Sequence, residues 1–237
     1  MQTQISIGSN RNFTLSQALL IYKGDSNKEA FVTLHQVGKQ AHCPPTLGPA
    51  ETLTQGFLDS LLHAVGGNAA VEVLPENVLA RTQQMLAWWV PAKPRRMFFQ
   101  HAQGVLDDIS GQVCPQPALV LRVDGSGLSL RALEKNQRPQ AGTRMMVAPY
   151  WNTYANGSVC LGSMRAPKQA SVSAMDRWET SFYESAFTHP NDAQRLTSHP
   201  RGSEGLWRKL AGSQRPFPSK YLNDAKQSLA HFLKGTP

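Results

Sequence analysis

Residues 118–147 leave the backbone little choice. Ala118, Leu119, Val120, Leu121 and Val123 form an apolar run interrupted only by Arg122. Asp124-Gly125-Ser126-Gly127 follows, a composition that suits the tight turn of a β-hairpin. Leu128-Ser129-Leu130-Arg131 then alternates apolar with polar, the period of a half-buried strand. After a loop at 136–142, Thr143-Arg144-Met145-Met146-Val147 supplies a third strand. Three strands with short connections predict an antiparallel meander, and its end delivers the chain into residues 149–162.

That stretch reads Pro149-Tyr150-Trp151-Asn152-Thr153-Tyr154-Ala155-Asn156-Gly157-Ser158-Val159-Cys160-Leu161-Gly162. An Asn stands eight positions before a Cys, with Asn156-Gly157 between them. Gly157 permits a tight turn that brings Asn152 back toward Cys160. The layout places an amide side chain near a sulfur nucleophile, so Cys160 and Asn152 are the candidate catalytic residues. The competing reading is an inert core strand, because free cysteines are commonly buried. Cys43 and Cys114 each precede a proline in loop-like sequence and are expected to be inert. Three cysteines without a Cys-x-x-Cys pair, and without histidines at ligand spacing, call for neither a metal nor a cofactor.

The remaining chain mixes strands and helices. A hairpin is expected from residues 18–22 and 30–34, turning at 23–27. Cys43-Pro44-Pro45-Thr46-Leu47-Gly48-Pro49 reads as a breaker or linker. Leu53, Phe57, Leu58, Leu61, Leu62 and Val65 follow helical spacing, stopped by Gly66-Gly67. Short strands are expected at 71–74, 78–80, 85–90 and 97–99, with Trp88 and Trp89 on opposite faces. A helix capped by Ser173 carries Met175, Trp178, Phe182 and Ala186 on one face and ends at Pro190. A further segment centres on Leu206, Trp207 and Leu210. A last helix is expected over 219–233 through Leu222, Ala225, Leu229 and Phe232. The order predicts an α+β fold in two parts, a strand-hairpin-plus-helix region at 1–68 and the meander with its helices at 69–237.

The charge balance is +8, from 24 Lys+Arg against 16 Asp+Glu. Spread as it is, this fits a solvated surface; nucleic-acid binding is the alternative. The start of the chain lacks a signal-peptide pattern, and no apolar run has the length of a membrane span. A cytoplasmic protein without a membrane partner is expected.

Asn152, Tyr154, Gly157, Val159, Cys160 and Leu161 fall in register with the active-site signature of ubiquitin-conjugating enzymes, which the segment resembles. In that family a His-Pro-Asn triplet leads to a catalytic Cys, with an antiparallel meander before and helices after. Pro149-Tyr150-Trp151-Asn152, Val159-Cys160-Leu161-Gly162-Ser163-Met164, Trp178 and Phe187-Thr188-His189-Pro190-Asn191 look closer still to the B-protein family of the PRTRC cassettes, a prokaryotic ubiquitin-conjugating-like family D. The likeness covers roughly residues 70–200. It implies a ubiquitin-conjugating (UBC-like) fold, in which Cys160 accepts a ubiquitin-like modifier as a thioester from a ThiF-like activating enzyme and passes it to an amine. It implies further that Asn152 supports the oxyanion and that other PRTRC cassette proteins are partners. Tyr150 and Trp151 stand where the wider family has His and Pro. A His-Pro-Asn triplet recurs at 189–191; it is expected to be a helix terminus, the alternative being that His189 returns in space as a substitute for the missing His. Two other functions fit the resemblance: a non-catalytic docking protein of the cassette, and a plasmid-maintenance DNA-binding protein.

Overall fold

The computed structural model describes residues 4–6, 12–24, 30–38, 44–64, 73–125, 127–193 and 195–235. They fall into two compact units, Met1–Glu72 and Val73–Pro237. The expected features at Cys43, Val65, Gly66-Gly67 and Val71-Glu72, and the turn residues Asp25, Ser26, Asn27 and Ser126, lie outside the described residues.

In the first unit β1 (Gln17–Lys23), β2 (Ala30–Gly38) and β3 (Thr46–Glu51) form an antiparallel sheet in that order, followed by α1 (Gln55–Ala64). The hairpin pairs Leu19 with Leu34. The Pro/Gly-rich stretch is not a simple breaker, because its second half is β3. Two features make that possible. An edge strand uses only one side of its backbone, so Pro49 need not donate. The register also shifts between His35 and Val37, and Gly48 and Pro49 sit inside that bulge.

The second unit is built on a six-stranded antiparallel sheet. Its strands are β4 (Val78–Arg81), β5 (Met85–Val90), β6 (Leu119–Asp124), β7 (Gly127–Ala132), β8 (Arg144–Met146) and β9 (Asp224–Ser228), in the order β9-β8-β7-β6-β5-β4. Three helices accompany it: α2 (Met175–Tyr183), α3 (Gly202–Leu210) and α4 (Leu229–Lys234). The period of two along β5, β6 and β7 sends Leu86, Trp88, Leu119, Leu121, Leu128 and Leu130 to one face. There they form one core with Trp178, Phe182 and Trp207. Val120, Leu133 and Met145 go to the other face, under Leu229 and Phe232 of α4. Trp88 and Trp89 therefore part as alternation demands: Trp88 is sealed in the main core and Trp89 packs on the second cluster. Glu179 of α2 is buried and ties this helix to the sheet. It accepts hydrogen bonds from Trp88 Nε1 and from Arg95, each at 3.0 Å.

Four expectations are corrected here. Val73 and Leu74 form no strand, and Val73 is 88% exposed; Pro75 cuts the run short, and among the described residues no strand pairs with it. Ser173 does not cap α2 but lies in a 3-10 turn, Val172–Ala174, ahead of it. That helix ends at Tyr183 rather than Pro190, where the Ser185 hydroxyl donates to the Phe182 carbonyl at 2.7 Å. Ala186–Phe187 is extended and pairs in parallel with Phe98–Phe99, because that conformation buries Phe187 completely against Phe99. Finally, the expected last helix is a helix only from Leu229. Residues 224–228 form β9, which pairs with the otherwise open side of β8. The Asp224 carboxylate accepts the Lys226 N–H at 2.8 Å and the Ser228 side chain accepts the His231 N–H, which starts α4 with a serine cap. Among the described residues, no helix is long and apolar enough to cross a membrane.

Candidate active site at the Asn152–Cys160 hairpin

The chain leaving β8 is anchored before it reaches the site. Tyr150 and Trp151 are buried, at 0% and 2% exposure. Tyr150 packs edge-on against Phe182 and donates its hydroxyl to Gln116 Oε1 at 2.9 Å. Trp151 Nε1 donates to Ser203 Oγ, and Trp207 Nε1 donates to the Pro149 carbonyl, both at 3.1 Å. Burial raises the Tyr150 phenol well above its ordinary pKa, so this anchor stays a neutral donor. Tyr150 and Trp151 are thus aromatic pins driven into the core.

The hairpin begins at Asn152, which takes φ 62°, a left-handed conformation that asparagine tolerates better than most residues. Thr153 and Val159 form an antiparallel bridge, Tyr154 N–H donates to the Ser158 carbonyl, and Cys160 N–H donates to the Asn152 carbonyl at 2.7 Å. At the tip, Gly157 has φ 96° and presses on β7; a Cβ there would lie 2.9 Å from the Leu130 carbonyl. Leu130 N–H donates to the Gly157 carbonyl and Val159 N–H to the Leu128 carbonyl. The returning arm therefore extends the sheet beside β7, whose Ala132 end pairs with β8.

Arg131 locks the tip from behind. It is 2% exposed. Its guanidinium donates to the carbonyls of Ala155 and Asn156, both at 2.7 Å, and to Gln227 Oε1 of β9 at 2.6 Å. Burial pushes its pKa down to about 10, because desolvation disfavours the charged guanidinium.

A second segment, at 186–189, bonds to the chain on both sides of Cys160. Asn152 Nδ2 donates to the Ala186 carbonyl at 2.7 Å, while its Oδ1 accepts from Thr188 N–H at 3.1 Å and Thr188 Oγ1 at 3.0 Å. Asn152 N–H donates to the His189 carbonyl at 3.0 Å. Beyond the cysteine, Ser163 Oγ accepts the Ala186 N–H at 3.0 Å. Asn152 is buried, whereas Cys160 keeps partial exposure. The His-Pro-Asn triplet at 189–191 is therefore no helix terminus. It continues the segment to which Asn152 is bonded, and Asn191 Nδ2 is a buried nitrogen without a hydrogen-bond partner.

Cys114 is different in kind. It is sealed in the core, and burial pushes its thiol up to about 11. A cleft of about 480 Å³ near Pro94, Pro117 and Phe217 includes no residue of the hairpin.

Asn152, Gly157 and Cys160 were legible as one loop; Arg131, Ser163 and Thr188 were not. Arg131 sits on the strand face that alternation assigns to solvent, and only the later segments 154–157 and 227–232 cover it. Ser163 meets Ala186, and Thr188 meets Asn152, through long-range pairing that leaves no local mark.

A family model described as Prokaryotic E2 family D matches residues 57–225, more than half of the chain and every residue of the Asn152–Cys160 hairpin. No curated protein and no solved structure matches.

Proposed function

The chain belongs to the prokaryotic E2 family D, and on that footing we propose that it is a thioester carrier with Cys160 as the acceptor. The Cys160 thiol attacks the carbonyl carbon of a ubiquitin-like modifier's C-terminal thioester on a ThiF-like activating enzyme. A new C–S bond forms, the old one breaks, and the cysteine proton passes to the departing thiolate. An amine then attacks the same carbonyl carbon, the C–N bond forms as the C–S bond breaks, and the amine's proton ends on the Cys160 thiolate, releasing the modifier as an amide. The partners belong to this proposal, as does membership of a PRTRC cassette and the UBC-like form of the α+β fold.

The observation that supports it best is the hairpin itself. A partly exposed thiol is held on a stiff arm opposite Asn152. Of the two Nδ2 hydrogens of Asn152, one is engaged with Ala186, and the other is the proposed donor to the oxyanion. Such a donor contributes about 2.7–4 kcal/mol in other acyl-transfer sites.

The test is a non-reducing gel after incubation with the cognate modifier, activating enzyme and ATP. A thiol-sensitive adduct on the wild type that is missing from Cys160→Ser supports the carrier. No adduct, with an activating enzyme shown to be charged, removes it. The docking reading would then stand, favoured by the commitment of the Asn152 carboxamide to residues 186–188.

A further inference from the structure

We propose that β1 (Gln17–Lys23) is a self-pairing strand, through which two copies of this chain join edge to edge. The inference does not depend on the carrier reading of Cys160.

The three-stranded and six-stranded sheets have four outer strands between them, and three are guarded. β3 carries Pro49 and Glu51, and its pairing with β2 shifts register. β4 has four residues, ends in Arg81 and shifts register between Val78 and Ala80. β9 holds Asp224 and Lys226, the latter at φ 56°, and its pairing with β8 also shifts. Short length, charge, proline and bulges are what keep an outer strand from pairing with another chain. β1 lacks all four. It runs seven residues in unbroken register, from Gln17 opposite Gln36 to Lys23 opposite Ala30. It has no proline, and its one charge, Lys23, stands at its end. Ala18-Leu19-Leu20-Ile21-Tyr22 is apolar on both faces, with Ile21 66% and Tyr22 48% exposed. Among the described residues no strand pairs with its outer side.

The phase of the backbone selects a second copy as the occupant. The Ser16 carbonyl accepts the Val37 N–H at 2.9 Å, one step ahead of the Gln17 and Gln36 pair. Main-chain groups of an antiparallel strand turn alternately toward and away from the neighbour. Ala18, Leu20 and Tyr22 therefore bond toward β2, while Gln17, Leu19, Ile21 and Lys23 turn their N–H and C=O outward. A twofold axis at Leu20 sets these four against the same four of the copy. Gln17 then faces Lys23, and Leu19 faces Ile21, so every outward group finds a partner. Between them Ala18 faces Tyr22, and Leu20 faces the copy's Leu20. The opposed side chains are apolar on apolar except at the ends, and no like charges meet. Such a contact is isologous and closes at two copies.

The full chain is weighed by sedimentation velocity over a dilution series. A species of twice the 26.1 kDa chain mass is expected. Ile21→Pro removes an N–H that points away from β2, so it should halve the mass and leave the circular-dichroism spectrum unchanged. Two charge variants read the register. Leu19→Lys with Ile21→Lys sets lysine against lysine and should give the single chain. Leu19→Lys with Ile21→Glu sets lysine against glutamate and should keep the pair. Leu20→Cys, with Cys43→Ser and Cys160→Ser, should oxidise to a covalent dimer, since residues facing each other at such a position lie about 4.5 Å apart. A wild type of single mass throughout overturns the inference and leaves the edge to a strand of another protein. A double mass that survives both Ile21→Pro and the lysine pair overturns it as well, because the copies then meet elsewhere. Loss of the pair in the lysine–glutamate variant overturns the axis at Leu20.

Discussion

The amide of Cys160 and the carbonyl of Asn152 meet at 2.7 Å across a nine-residue hairpin. This single main-chain bond pairs Cys160 with a residue whose carboxamide is held by Ala186 and Thr188. The thiol's position is therefore set by three stretches of chain: the hairpin, the strand behind it and the segment at 186–189.

Gly157→Ala should damage the hairpin without touching the thiol. The new methyl would lie 2.9 Å from the Leu130 carbonyl and 3.1 Å from the Arg131 guanidinium carbon, at a backbone φ of 96°. A loss of roughly 1–3 kcal/mol is expected in urea unfolding. Wild-type stability for this variant would show that the tip is not held against β7.

Arg131 and Gln227 should be energetically coupled. Arg131→Met leaves the Ala155 and Asn156 carbonyls and Gln227 Oε1 without their donor, a cost of about 2–4 kcal/mol. Gln227→Ala should cost less, and the double variant less than the sum, by about 1 kcal/mol. Strict additivity in this cycle would count against the clamp.

Alkaline pH should weaken the fold through Cys114. Its thiol is raised from an ordinary value near 9 to about 11 by burial. Between those values the unfolded chain has released the proton and the folded chain has kept it. The stability that the neutral thiol contributes is therefore full below pH 9 and is lost as pH rises to about 11. Urea midpoints should fall across this window more steeply in the wild type than in Cys114→Ala. Parallel curves would contradict the burial of that thiol. In a Cys43→Ser background a thiol reagent should modify Cys160 first and Cys114 only on unfolding.

Removing Glu179 should be among the costlier changes in the second unit. Glu179→Ala strands Arg95 beside Tyr183 and leaves Trp88 Nε1 buried without an acceptor. A loss of about 3–5 kcal/mol is expected for breaking one side of such a pair. Arg95→Met introduced beside it should recover part of that loss, measured by the same unfolding curves.

The parts of the structure legible in the sequence are those written in short periods. The alternation in 128–131 and the Gly turn at 125 specify the β6–β7 hairpin, and Asn156-Gly157 marks the turn that folds Asn152 onto Cys160. Trp88 and Trp89 separate to opposite faces for the same reason. What stayed illegible was decided at a distance. Residues 224–228 have helical spacing but lie beside an open strand edge, and Pro49 is tolerated because its strand is the outermost. Ala186–Phe187 leaves the helical pattern since Phe187 gains more by burial against Phe99. Arg131 looks like a surface residue until the hairpin and α4 close over it.

Arg131's third ligand has a consequence for synthesis. Gln227 comes from the last strand of the sheet, long after Cys160 in chain order. A nascent chain still on the ribosome can have its cysteine outside the tunnel while the clamp behind it lacks one partner. The clamp behind Cys160 is completed only once the strand at 224–228 has joined the sheet.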